Sequence, residues 1–593
     1  MTSAVDDATG EAQAPPERQR RRESLAAWAW SLVRLDFTGV VVGALFFCLS
    51  LTPSLLPRDW LSAGVIGGIN AAIGYGIGVL VGKAVRRLFF NHRRWWPPSP
   101  KVLYGLKAAA VALSIVASVL MLIPAASWQR NVSALMGIEG PGTLGYLRTL
   151  VVALVTGGLL VGVARVIKDA IKFLARMMIR RWNINDEVAM FIGTAIVVVL
   201  IITLVNGVLM RGFIAGASAV FQPQNEGTRP GIEQPVQTER SGSADSFVRW
   251  GTLGFQGRNF VATGPRAAEL TELNGRPAKE PIRIYAGLQS ADTMEGQVAA
   301  LLSELQRTRA YERKVLVIIP TTGTGWVDPV AARSIESMYN GDTALVAMQY
   351  SYLPSWISFL ADQQKSVEAG NAMIDAIHQR WLQWPEAARP KLVLYGESLG
   401  SMAGQGAFGY LPDVVDMEFS SVLWVGPPNA SPMWKALTAR RDPGTPEVQP
   451  RYDDGRTVRF AQASSPAEIA AVAAPQWRGT RVLFLQHASD PVVWWSPDLF
   501  FDRPAWLVEP PGIDRTASMR WYPIVTFWQV FADMAGNVTS SQASPTGHGH
   551  NYGDSQLDGW VAVAAPDGWT SFDTDRIRRG LEKAIAAGGP EFQ

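Results

Sequence analysis

Cysteine is almost absent from this 593-residue chain, since only Cys48 is present and it lies in an apolar run. One cysteine excludes an intramolecular disulfide, a redox pair of thiols and a zinc cluster built from cysteines. Net charge is also small, because 54 basic and 51 acidic residues leave a formal charge of +3. Proteins that bind nucleic acid usually carry a basic field, so nucleic acid is not an expected partner.

Charged residues are scarce between residues 37 and 212, and their absence points to a membrane. A span needs about 20 mostly apolar residues. Stretches of that kind occur at 37–56, 62–82, 103–124, 146–167 and 188–210. Residues 37–212 are therefore predicted to form an all-α transmembrane helical bundle of about five spans. The polar residues 1–36 before it are predicted to be a disordered cytoplasmic tail.

The loops between these stretches differ in charge. Residues 83–101 hold six basic residues and no acidic one, and residues 168–181 hold five basic residues. The alternate loops are nearly neutral, with Arg58 beside Asp59 in the first. Because basic loops stay in the cytoplasm, an odd number of spans predicts that everything after residue 212 lies on the extracytoplasmic side.

The middles of the predicted spans also carry no charged residue, although transport pathways usually keep such groups. The bundle is therefore interpreted as an anchor in contact with membrane lipids. Glycines recur in the second span at small-xxx-small spacing, which lets helices approach closely. The pairs are Gly64/Gly68, Gly74/Gly78 and Gly78/Gly82. Packing within the bundle is the first interpretation of this spacing, and self-association is the second.

Residues 213–250 lack periodicity and are predicted to be a linker. Beyond them, short apolar runs alternate with helical patterns. The runs are 281–288, 314–320, 344–350, 391–396, 421–426 and 481–487. This alternation predicts a mostly parallel sheet covered by helices on both faces, over residues 251–593. The residues between the last two runs, 429–478, are predicted to form a cap.

The motif Gly396-Glu397-Ser398-Leu399-Gly400 follows the apolar run that begins at Lys391. A G-x-S-x-G directly after a strand is typical of the nucleophile elbow, where the chain turns so sharply that glycine is needed beside the serine. Ser398 is therefore the candidate nucleophile. A serine needs a general base, and the base needs an orienting carboxylate.

In α/β-hydrolases the order along the chain is serine, acid, histidine. The five histidines are His92, His378, His487, His548 and His550. His92 lies in a predicted cytoplasmic loop, His378 precedes the nucleophile, and His487 ends an apolar run. Only His548 and His550 fall in a glycine-lined loop late in the chain. One of them is predicted to be the base, with a narrow preference for His548.

The acid is expected after the next-to-last strand, where Asp490 follows the apolar run that begins at Arg481. Asp498 and Asp502 are the alternatives. The oxyanion hole is expected to use the amide of Leu399, directly after the nucleophile, and one amide from the loop that begins at Pro320. Thr322 is the candidate in that loop, with Thr321 and Gly323 as alternatives.

Together these features resemble the actinobacterial multi-spanning membrane α/β-hydrolases. The shared features are the span-rich N-terminal region and the motifs P-T-T-G-T-G-W, Y-G-E-S-L-G, H-A-S-D-P-V and G-H-G-H-N-Y. The resemblance covers most of the chain after residue 36. It implies an α/β-hydrolase catalytic domain with a triad of Ser398, Asp490 and either His548 or His550.

An activated serine beside a membrane predicts a membrane-anchored serine hydrolase that acts on lipid-like or envelope-associated esters through an acyl-serine intermediate. Such chemistry needs no metal and no organic cofactor. Acyl transfer to an alcohol would start from the same intermediate, so an acyltransferase is an alternative. The alternative of another class is a transporter or lipid-handling protein whose hydrolase-like domain only binds a ligand.

Overall fold

The structure is a computed structural model that describes residues 35–90, 100–143, 145–354, 357–359, 363–539 and 546–592. The chain forms two compact units. The first unit holds residues 1–51, 63–122 and 147–202, and the second holds residues 52–62, 123–146 and 203–593. The predicted tail at 1–36 lies outside the described residues, apart from its last two.

The N-terminal region is helical, as predicted. Its helices are α1 (Phe37–Ser50), α2 (Trp60–Val85), α3 (Pro100–Leu120), α4 (Leu122–Leu135), α5 (Arg148–Trp182), α6 (Asp186–Ile202) and α7 (Met210–Glu226). Among the described residues, four helical stretches are long and apolar enough to cross a membrane. They are Trp60–Leu88, Gly105–Leu135, Gly145–Trp182 and Asp186–Glu226.

The first predicted span, 37–56, is only partly helical. Helix α1 has 14 residues, which gives a length of about 21 Å against the roughly 30 Å of a bilayer core. The helix ends at Ser50 and the chain then meets Pro53 and Pro57. Proline lacks an amide hydrogen and clashes with the preceding turn, so the helix does not continue. Four candidate spans therefore replace the predicted five.

The glycines of α2 lie where its neighbours approach most closely. A Cβ at Gly64 would lie 2.9 Å from the carbonyl oxygen of Thr149 in α5, and one at Gly74 would lie 2.8 Å from the carbonyl oxygen of Val42 in α1. Both neighbours belong to the same unit. These contacts agree with packing of α2 within the bundle.

Residues 213–250 correct the predicted linker, because their first part continues helix α7 to Glu226. The sequence Phe213–Phe221 is apolar and rich in alanine. This composition favours a helix over an irregular linker. From Gly227 the backbone is irregular until a short turn at Trp250–Thr252.

The second unit contains a seven-stranded sheet in which every described strand pair is parallel. Its strands are β1 (Ile282–Ala286), β2 (Val315–Pro320), β3 (Thr343–Met348), β4 (Lys391–Glu397), β5 (Ser421–Val425), β6 (Val458–Gln462) and β7 (Arg481–Gln486). The spatial order is β1-β3-β2-β4-β5-β7-β6. The predicted parallel sheet is confirmed.

Strand β6 corrects the predicted cap at 429–478, because part of that segment forms the edge of the sheet beside β7. The strand escapes a search for apolar runs because Arg459 lies inside it and Gln462 ends it, which leaves only three apolar residues. The Arg459 guanidinium donates to the carbonyl oxygens of Gly455 at 2.7 Å and Val472 at 2.9 Å. It also covers the Trp477 ring at 3.7 Å, so its charge is accommodated within the fold.

The remaining helices cover the sheet. They are α8 (Gly254–Ala262), α9 (Ala267–Asn274), α10 (Met294–Arg307), α11 (Pro329–Met338), α12 (Gln363–Leu382), α13 (Leu399–Gly406), α14 (Leu411–Asp416), α15 (Pro432–Ala439), α16 (Pro466–Ala473), α17 (Pro491–Trp494), α18 (Val525–Thr539), α19 (Gln556–Ala564) and α20 (Ser571–Ala586). Successive residues of β2 enter different apolar clusters, since Leu316 packs in one and Val317 in the other. Both faces of the sheet are therefore buried, as parallel sheets require.

Candidate active site

Ser398 lies at the turn between β4 and α13, where the sequence predicted a nucleophile elbow. Its φ of 53° and ψ of −123° are strained for a residue with a side chain. The Ser398 amide donates to the carbonyl oxygen of Val425 in β5 at 2.9 Å. This bond holds the turn against the neighbouring strand at the carboxyl edge of the sheet.

The two glycines of the motif are required by close approach of the backbone. A Cβ at Gly396 would lie 2.6 Å from the carbonyl oxygen of Gly400, and a Cβ at Gly400 would clash with the carbonyl oxygen of Pro320. Pro320 ends β2, and the loop predicted to supply an oxyanion donor follows it. The second glycine therefore lets this loop lie directly beside the first turn of α13.

Asp490 and His550 form a carboxylate–imidazole pair of the kind that the predicted triad requires. Asp490 follows β7, caps α17 and is fully buried. Its Oδ1 accepts from the Val492 amide at 2.8 Å, and its Oδ2 lies 2.7 Å from His550 Nδ1. Burial by itself would lower the pKa of His550, but the charge and hydrogen bond of Asp490 outweigh burial and raise it.

Tyr552 completes the surroundings of this pair. Its hydroxyl donates to Asp490 Oδ2 at 2.6 Å and accepts from the His487 amide at 3.1 Å. Gly426, after β5, has a φ of 53° and lies against both rings. A Cβ there would be 2.9 Å from His550 Cε1, so only glycine leaves room for the imidazole. The sequence interpretation did not single out Tyr552 or Gly426, although the H-N-Y motif contains the tyrosine.

His548 pairs with a different carboxylate, although the sequence interpretation narrowly preferred it as the base. Its Nδ1 lies 3.3 Å from Asp514 Oδ2. The same carboxylate accepts from the Ser489 hydroxyl at 2.6 Å and the Ser489 amide at 3.1 Å, and it lies 3.2 Å from His487 Nδ1. Burial would raise the pKa of Asp514, but these donors together hold it well below its usual range.

Asp514 therefore connects the loop that carries Asp490 with the loop that carries His550. Ser489 precedes Asp490, and its hydroxyl also accepts from the Gly549 amide at 2.9 Å. Gly549 precedes His550 in the chain. No sequence motif marks Asp514, because it lies in an irregular segment and only the fold brings it between the two loops.

The remaining histidines and the alternative acids have other surroundings. His378 packs between the rings of Trp381 and Phe419, with ring centroids 5.8 and 6.4 Å away. His487 is fully buried and its Nδ1 lies 2.8 Å from the Ser464 hydroxyl. The alternative acids Asp498 and Asp502 are exposed.

The proposed oxyanion donors belong to the two segments that meet at Gly400. Leu399 begins α13, so its amide belongs to the first turn of a helix, where amides lack partners within the helix. The Thr322 amide lies 3.5 Å from the carbonyl oxygen of Trp326, which is a long and weak contact. Thr321 is tied back by its hydroxyl, which donates to the Met348 carbonyl oxygen at 2.7 Å.

A buried pair of carboxyl groups lies next to the nucleophile. Glu397 Oε2 accepts from the Tyr395 hydroxyl at 2.8 Å and from Gln556 Nε2 at 3.1 Å. Burial, together with the nearby Asp328 carboxyl, raises the pKa of Glu397 to about 8. Burial likewise raises the pKa of Asp328 to about 6. Burial therefore favours the uncharged form of Glu397.

Comparison with known proteins identifies the family of the chain. Residues 282–577 match the model of an alpha/beta-hydrolase family, and residues 51–265 match the model of that family's N-terminus. The chain belongs to this α/β-hydrolase family. No curated protein and no solved structure matched it. Family membership supports a hydrolase-type enzyme in general terms, and the four apolar helices found among the described residues are long enough to cross a membrane.

Proposed function

We propose that this α/β-hydrolase is a membrane-anchored serine esterase in which Ser398, His550 and Asp490 form the triad. The observation that carries the proposal is the 2.7 Å contact between His550 Nδ1 and Asp490 Oδ2, on loops at the same sheet edge as the strained Ser398 turn. A proton on Nδ1 leaves Nε2 as the basic nitrogen of the ring.

In the proposed reaction, the Ser398 oxygen attacks the acyl carbon of an ester while His550 takes its proton. The amides of Leu399 and Thr322 stabilise the oxyanion of the tetrahedral intermediate. His550 then protonates the leaving alcohol, and an acyl-serine remains. Water, deprotonated by His550, attacks this acyl group and releases the carboxylic acid and free Ser398.

The test is labelling of the purified full-length protein by a fluorophosphonate, together with turnover of a fluorogenic ester. We expect the parent to be labelled and Ser398→Ala to lose both labelling and turnover. Ser303→Ala is the matched control, because Ser303 is an exposed serine on α10. Equal labelling of Ser398→Ala and the parent would reject the proposal. A folded parent that binds lipid but shows no turnover would favour the lipid-handling alternative.

Acyl transfer is the second candidate, because Ser398 is 8% exposed and Asp490 is fully buried. A sheltered acyl-serine limits the access of water and favours an alcohol that docks. A labelled acyl donor incubated with the enzyme and a membrane-lipid extract distinguishes the two. Label in free acid supports hydrolysis, whereas Ser398-dependent label in a new ester supports transfer.

We also propose that the catalytic unit lies on the extracytoplasmic side. Residues 52–62 and 123–146 belong to the same compact unit as residues 203–593, so all three share one side of the membrane. The basic segments 83–101 and 168–181 alternate with them along the chain and would remain cytoplasmic. The four candidate spans that begin with Trp60–Leu88 satisfy this alternation, whatever path α1 takes.

The test of sidedness is simple because the chain has a single cysteine, which can be replaced. In a Cys48→Ser background, Ser303→Cys and Arg180→Cys each introduce one exposed thiol. We expect a membrane-impermeant maleimide to label Ser303→Cys in intact cells and Arg180→Cys only after permeabilisation. The reverse pattern would place the catalytic unit in the cytoplasm.

A further inference from the structure

Asp533 is a buried carboxylate that contacts a segment almost 480 residues away in the chain. Its Oδ2 accepts from the hydroxyl of Ser54 and from the amide of Leu55 at 3.0 Å. Its Oδ1 accepts from Arg58 Nε at 2.6 Å. The Arg58 and Asp533 side chains are 4% and 0% exposed, so water does not screen this pair.

The same segment makes a second connection to α18, the helix that carries Asp533. Arg58 Nη2 donates to the carbonyl oxygen of Gln529 at 2.8 Å, and Gln529 Nε2 donates to the carbonyl oxygen of Thr52 at 3.0 Å. Leu55 and Leu56 are buried in the apolar cluster of the catalytic unit. Residues 52–58 join α1 to α2 in the chain, yet they pack as part of this unit.

The opposite side of α18 contacts both helices that begin at the proposed catalytic residues. Met534 clusters with Leu399 and Met402 of α13, which starts directly after Ser398. Phe531 lies against Trp495, with ring centroids 5.8 Å apart. Trp495 directly follows α17, the helix that Asp490 caps.

Helix α18 also leads into the loop of the proposed base. Its last residue is Thr539, and the histidine loop is described from residue 546 onward. Asp533 therefore fixes the helix about two turns before the chain departs for His550. A shift of α18 would move the apolar contacts of Leu399 and the support of Trp495 together.

We propose that Arg58 and Asp533 are positioning residues of the active site, through which the segment 52–58 between the first two helices holds α18 against the nucleophile and acid loops. The N-terminal region then completes the catalytic unit as well as anchoring it. Met534 and Phe531 form the apolar wall that an acyl chain on Ser398 meets when its carbonyl oxygen lies at the Leu399 amide. The role as an acyl wall rests on the proposed esterase function.

The test uses the full chain in detergent or membranes and two fluorophosphonates, one with a long alkyl chain and one with a short chain. Asp533→Asn keeps the shape of the side chain but leaves the buried guanidinium without its anionic partner. We expect the ratio of long-chain to short-chain labelling rates to fall about 10- to 100-fold, as displacement of a positioning element by about 1 Å allows. The ratio is internal to each sample and does not depend on the folded fraction.

Rescue gives a second readout. The double variant Arg58→Met with Asp533→Asn carries neither charge and keeps an acceptor for Ser54, so we expect it to recover most of the ratio lost by Asp533→Asn. Arg451→Met is the matched control, since Arg451 forms an exposed ion pair with Asp442 in the same unit. This control is expected to keep the parental ratio.

Ser54→Ala serves if Asp533→Asn does not fold, because it removes only one donor to Asp533. It should shift the ratio in the same direction by a smaller factor. Parental ratios in folded Asp533→Asn, or in Ser54→Ala, would overturn the proposal.

Hydrogen exchange separates this proposal from the esterase function. Asp533→Asn should exchange faster over 525–539 and 546–552 than the parent. Faster exchange in Asp533→Asn, combined with a parent that no fluorophosphonate labels, would reject the esterase function and support the positioning. Unchanged exchange would overturn the positioning even in an active enzyme.

Discussion

Two carboxylate–histidine pairs lie side by side at the edge of the sheet, and they differ in what surrounds the carboxylate. Asp490 accepts from His550 at 2.7 Å and shares its oxygens with Tyr552 and the Val492 amide. Asp514 lies 3.3 Å from His548 and also accepts from two donors of Ser489. The first pair suits proton transfer, because among the described histidines Asp490 contacts the imidazole of His550 alone, whereas Asp514 contacts the imidazoles of both His487 and His548.

The second pair suits positioning, because its carboxylate is shared among donors from both catalytic loops. The two histidines have equal side-chain exposure, 20% each. Exposure alone therefore does not tell the base from its neighbour, and the identity of the partner carboxylate does. In the proposed site, proton transfer is assigned to His550 and loop positioning to His548, which are only two positions apart.

The largest expected effect comes from replacing the two histidines one at a time. His550→Ala should lower kcat about 10⁴-fold or more, because Ser398 loses its base. His548→Ala should lower kcat about tenfold, since the positioning of the loops weakens while the base remains. Steady-state ester turnover measures both. A greater loss in His548→Ala than in His550→Ala would reverse the assignment of the two pairs.

Asp514→Asn should have the next largest effect. Loss of the shared carboxylate loosens both loops, and we expect kcat to fall about 10- to 100-fold with KM little changed. The depressed pKa of Asp514 means that its ionised form stabilises the fold above the ordinary aspartate pKa, and that this stability is lost as pH falls through the folded pKa.

Thermal unfolding checks the same variant. Asp514→Asn should have a lower Tm than the parent at pH 7, and the difference should shrink in acid. A Tm difference that grows toward low pH would contradict the positioning role of the ionised carboxylate.

The pH profile of the parent should show a smaller but diagnostic effect. His550 acts as a base only when neutral, so kcat/KM should rise with pH through its pKa. Because Asp490 raises that pKa above the ordinary histidine value of 6.5, the midpoint of the acid limb should lie above 6.5 in the profile of kcat/KM. A midpoint below this value would mean that the Asp490 carboxylate does not control the titrating group.

The smallest expected effect concerns Glu397. Its pKa of about 8 means that the group is uncharged at pH 7, so Glu397→Gln should change kcat by less than about threefold. The raised pKa makes folding less favourable as pH rises from the ordinary value of 4.5 toward 8. The Tm of Glu397→Gln relative to the parent should therefore increase over that interval, and a constant difference would contradict a buried neutral Glu397.

Much of the fold could be predicted because parallel strands that are buried on both faces are continuous apolar runs. Strands β2 to β5 and β7 are of this kind, and β1 departs from it only at Arg283. Strand β6 does not fit, because Arg459 and Gln462 leave only three apolar residues in it, and Arg459 satisfies its charge through carbonyl oxygens. The extent of α1 was overestimated for a related reason. The sequence remains largely apolar through Leu51–Leu56, but Pro53 and Pro57 end the helix. The segment packs in the apolar core of the second unit.

The sequence by itself determined which residues are candidates for chemistry. A glycine-flanked serine after a strand, an aspartate after a later strand and two late histidines have fixed places in the chain order of an α/β-hydrolase. These features depend on local backbone geometry and on strand order, and short sequence motifs indicate both.

Only the tertiary structure decided which histidine faces Asp490, that Asp514 lies between the two loops, and that Arg58 reaches Asp533. Each of these contacts joins residues whose spacing in sequence follows no period. The partner of a buried charged group depends on which loops the fold brings within hydrogen-bonding distance. His548 and His550 are only two positions apart in the chain, yet they contact different carboxylates.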